Sequence, residues 1–66
     1  MDYYIIPSEL AEKLSLVNFR TGDREHGYIV NTSDLAVIGI EAAKEQGARY
    51  VSAWEAKKTI EQIMNK

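Results

Sequence analysis

Apolar positions in this chain come in short runs whose period switches between two and about 3.6 residues. Tyr3 to Ile6 is a β-branched and aromatic run stopped by Pro7, whose fixed φ and missing N–H suit a strand exit, and it predicts a first strand. Ser8 then precedes Glu9-Leu10-Ala11-Glu12-Lys13-Leu14, with Leu10 and Leu14 on one face, which predicts a short helix with Ser8 as N-cap. From Leu16 to Thr21 the pattern alternates: Leu16, Asn18 and Arg20 fall on one side and Val17, Phe19 and Thr21 on the other, as in a second strand. The polar Gly22-Asp23-Arg24-Glu25-His26-Gly27 reads as a hairpin loop, and Tyr28-Ile29-Val30 as the returning strand.

Asn31-Thr32-Ser33-Asp34 offers N-cap candidates for a long helix from Leu35 to Gln46, closed by Gly47. Arg49-Tyr50-Val51 is a short fourth strand. Ser52-Ala53-Trp54-Glu55 has capping-box spacing and opens a final helix whose stripe is Ala53, Ala56, Ile60, Ile63 and Met64, with Lys57 and Glu61 placed to pair on its outer side. The order βαββαβα defines a single α+β domain over residues 1–66, a four-stranded sheet with helices arranged as a ferredoxin-like plait in miniature. In that plait the first and third strands are central, while the strands carrying Arg20 and Arg49 suit edges.

The two central strands are apolar on both faces, so the sheet has no wet side. Two crossover helices cover one face. The other needs either the C-terminal helix folded back across it or the same face of a second molecule. The greasy stretch Leu35-Ala36-Val37-Ile38-Gly39-Ile40 points further toward a partner, and a self-associating chain is expected, with the last helix helping to form the contact. The packing and interface candidates are Tyr3, Ile5, Tyr28, Val37, Ile40, Trp54, Ile60 and Ile63.

Composition narrows the functional classes. Sixty-six residues suffice for one domain, and with 45% hydrophobic and 27% charged residues the balance is that of a folded chain. The absence of cysteine removes disulfides, thiolate metal sites and a cysteine nucleophile, which fits a reducing cytoplasm, and the first residues lack the pattern of a secretory signal. No run is long and apolar enough to span a membrane. A net charge of −2 with both signs interspersed leaves no basic stripe for phosphates.

Candidate chemistry is sparse. His26, the single histidine, lies in Asp23-Arg24-Glu25-His26, whose spacing matches no metal motif and reads better as a solvated turn, with no nucleophile predictably beside it. The glycines reproduce no phosphate-binding loop. No catalytic, cofactor or metal residue is assigned, and an enzyme is not expected. Tyr3 or Tyr4 with Tyr28 could present rings to bases in the manner of RRM-like domains, although Gly27-Tyr28-Ile29-Val30 is only a fragment of that pattern. Pro7-Ser8-Glu9-Leu10-Ala11-Glu12-Lys13-Leu14 resembles the opening helix of helix-turn-helix and winged-helix domains. That resemblance implies a competing winged-helix-like fold and a DNA-binding accessory or regulatory protein, its wing running from Val17 to Val30 with Arg20 and Arg24 near phosphates. The recognition helix is missing, so a protein-interaction module stands first, binding itself or another protein.

Overall fold

Every strand that the fold uses is antiparallel to its neighbours. The structure, a computed structural model, describes residues 2–65. Strand β1 (Tyr3–Ile6) leads into helix α1 (Ser8–Lys13); β2 (Gly22–Asp23) and β3 (Gly27–Asn31) form a hairpin; α2 (Thr32–Leu35) and α3 (Ile40–Glu45) cross to β4 (Arg49–Val51); and α4 (Ala53–Met64) ends the fold. The sheet order is β2-β3-β1-β4, with β1 and β3 central, as the plait requires. The hairpin is therefore built into one four-stranded sheet, and no second helix stands between α1 and it, so the winged-helix arrangement is not formed.

Alternation along the central strands sorts the apolar side chains into two layers. Tyr4 and Ile6 of β1 with Tyr28 and Val30 of β3 meet Leu10 and Ala11 of α1, Leu35 of α2 and Ala43 of α3. On the opposite face Ile29 and Val51 pack with Ala56 of α4, flanked by Tyr3, Ile5 and Ile60. The two-sided apolar sheet expected from sequence is present, and its second face is covered by α4 of the same chain. Of the two covers considered, the intramolecular one is used. No buried side-chain polar atom among the described residues lacks a hydrogen-bond partner.

Several local expectations are corrected by the packing. Leu16 to Thr21 is not a strand: the N–H of Leu16 donates to Ala11, while those of Phe19 and Arg20 both donate to the Leu16 carbonyl, closing a turn, and β2 begins at Gly22. Alternation over six residues was outweighed by these local bonds and by Arg20 reaching away to Asp34. The long second helix is broken. Gly39 has φ 87° and serves as N-cap of α3, and nothing lies within 4 Å of where its Cβ would be, so its role is the break rather than a close helix contact. Pro7, rather than Ser8, precedes the first residue of α1 and gives no side-chain cap. At α4, Ser52 accepts from the Glu55 N–H as expected, but the Glu55 carboxylate pairs with Arg49 instead of returning to Ser52, and Lys58 rather than Lys57 meets Glu61.

Candidate functional site

The eight residues singled out from sequence do not converge on one surface. Tyr28 is buried in the layer under α1, and Ile40 is half-buried against that same layer. Tyr3, Ile5 and Ile60 pack in the α4 layer, and Ile63 is half-buried on α4. Only Val37, 82% exposed in the break between α2 and α3, and Trp54, 69% exposed on α4, are open to contact. Trp54 is two residues from buried Ala56, a half-turn around the helix, so it projects from the side away from the sheet, with the Lys58 ammonium 5.5 Å from its ring centroid.

The sequence did not single out Tyr50. It lies opposite Tyr4 on the neighbouring strand, so both rings share the face bearing α1 and α3, and they meet edge to face with centroids 5.6 Å apart. Tyr4 is buried, whereas Tyr50 is 56% exposed on β4, the sheet's outermost strand. Tyr50 Oη also lies 3.5 Å from the Asp2 carboxylate. The residue carries a plain signal, an aromatic beside charged Arg49 on an expected edge strand.

The stacking arrangement considered for single-stranded bases is not available. Tyr4 and Tyr28 both face α1 and are buried, and the opposite sheet face, where such a platform would be open, lies beneath α4.

Arg20 and Asp34 tie the scaffold together. Arg20 forms a fork on Asp34, with Nε 2.7 Å from Oδ2 and an Nη 2.8 Å from Oδ1, tying the 16–21 loop to α2. Asp34 completes a reciprocal capping box: its N–H donates to the Asn31 side chain and its carboxylate accepts from the Asn31 N–H. The hydrogen bonds from Arg20 hold the Asp34 carboxyl below the usual carboxylate range, against the opposing pull of partial burial, and the Asn31 N–H adds to the lowering. Asp34 in turn raises Arg20. A carboxyl whose pKa is lower in the folded chain adds stability that is complete above its unfolded value, about 4, and is lost as pH falls through the lowered one. Thermal melts should therefore show wild type losing stability below about pH 4, with a shallower acid limb in Asp34→Asn. At neutral pH that variant should melt about 4 °C lower, having lost the ion pair with Arg20 and the charged half of the capping box. Superimposable acid limbs would contradict the assignment.

His26 closes the β2–β3 turn on Asp23. Its backbone N–H donates to Oδ1 at 2.6 Å, and its Nδ1 lies 3.1 Å from both carboxylate oxygens. Arg24, Glu25 and His26 also border an open cleft of about 390 Å³ with Pro7, Ser8, Gly47 and Arg49. The cleft mixes both charge signs. Among the described residues no group of three His, Cys, Asp or Glu side chains is disposed to hold a metal ion, and no helix is long and apolar enough to cross a membrane. Neither a protein-family model, nor a curated protein, nor a solved structure matches this chain.

Proposed function

We propose that this protein is a non-catalytic interaction module that associates with itself, acting in the cytoplasm. Support comes from what the chain leaves outside a core already closed on both faces of the sheet. Phe19, Val37, Tyr50, Trp54 and Met64 are all exposed, whereas the buried positions are filled by ordinary aliphatic and tyrosine packing. Stranding five large apolar side chains in a chain of 66 residues forgoes burial that a domain of this size can ill spare, each fully buried group being worth about 1.5–3 kcal/mol. The carrying observation is Tyr50, 56% exposed on a strand with one side unpaired, because an aromatic on an open sheet edge is what covering by a protein surface would relieve. The sheet face itself, the contact first expected, is occupied by α4 and does not enter the proposal.

Sedimentation across a hundredfold dilution tests this. The expected result is a weight-average mass that rises with concentration. A constant 66-residue monomer throughout would refute self-association, and salt-sensitive duplex binding by that monomer would favour DNA instead.

A further inference from the structure

No further inference is drawn: the strongest candidate, the open cleft between the β2–β3 turn and the start of α1, carries nothing, because Arg49 and His26 on its rim are already held by Glu55 and Asp23, the acidic Glu9 and Glu25 oppose its remaining cation Arg24, and nothing in the structure points to a ligand that would fill it.

Discussion

A chain ended at Ser52 is expected to lose its cooperative unfolding transition. The truncation removes Ala56 and Ile60 and uncovers Ile29 and Val51, which are 6% and 2% exposed, together with Tyr3 and Ile5 beside them. Re-exposing two such aliphatic groups costs about 3–6 kcal/mol before the lost burial of α4 itself is counted. A folded chain of 66 residues has about 3–10 kcal/mol in total. The loss therefore equals most or all of the stability, and the product should show a broad melt, dye-binding apolar surface and aggregation. A truncated chain that stays monomeric with a sharp melt would mean that α4 is an appendage, and that the second face of the sheet tolerates water.

Ile6→Ala is expected to be nearly as damaging from the other layer. Ile6 is fully buried, sits on a central strand, and packs in the cluster that joins β1 and β3 to α1, α2 and α3. Removing the side chain forfeits its transfer free energy and leaves a cavity in a layer built from short elements that are pinned at both ends, for a cost of about 2–5 kcal/mol. Denaturant titration should show a midpoint lowered by half or more with an unchanged slope, since the surface exposed on unfolding is nearly the same. Leu35→Ala should behave similarly because Leu35 is also fully buried in that cluster, whereas Val37→Ala, two residues on, should be close to neutral. Equal effects at Leu35 and Val37 would contradict the break that turns one inward and leaves the other in solvent.

The difference between those two residues shows how far the sequence could be read. Their segment is apolar throughout, and periodicity alone runs a single helix through it. The break is local: turn bonds from Ile38 and Gly39 to the Leu35 carbonyl follow α2, and Gly39, in a conformation that other residues rarely adopt, is the N-cap from which α3 starts afresh. Strands β1 and β4 were legible to the residue because tertiary pairing and local propensity agree there, and Pro7 and Ser52 punctuate them. The 16–21 segment was not, since its alternation satisfies a strand while its Arg20 side chain satisfies a carboxylate 14 residues away, a long-range bond that no local pattern encodes.

The candidate site was less legible than the fold. Counting apolar groups on the central strands located correctly a face that must be covered, and the same count could not say whether the cover came from within the chain. The α4 stripe was the better clue, since small and branched residues at helical spacing suit a sheet surface: Ala56 and Ile60 pack there and Ile63 is half-buried, whereas Ala53 and Met64, read into the same stripe, are exposed. Tyr50, half outside the core, is recognisable as an edge residue only from the position of β4 at the end of the strand order.

The most direct test of a core completed within one chain is an isotope-filtered NOE measurement on an equal mixture of ¹³C-labelled and unlabelled protein, read between the Ala56 and Ile60 methyls and those of Ile29 and Val51. The structure predicts these cross-peaks at full strength within labelled chains and absent between labelled and unlabelled ones. Cross-peaks found chiefly between the two populations would show that α4 crosses to a neighbouring molecule, and would contradict the closed monomer on which everything above depends.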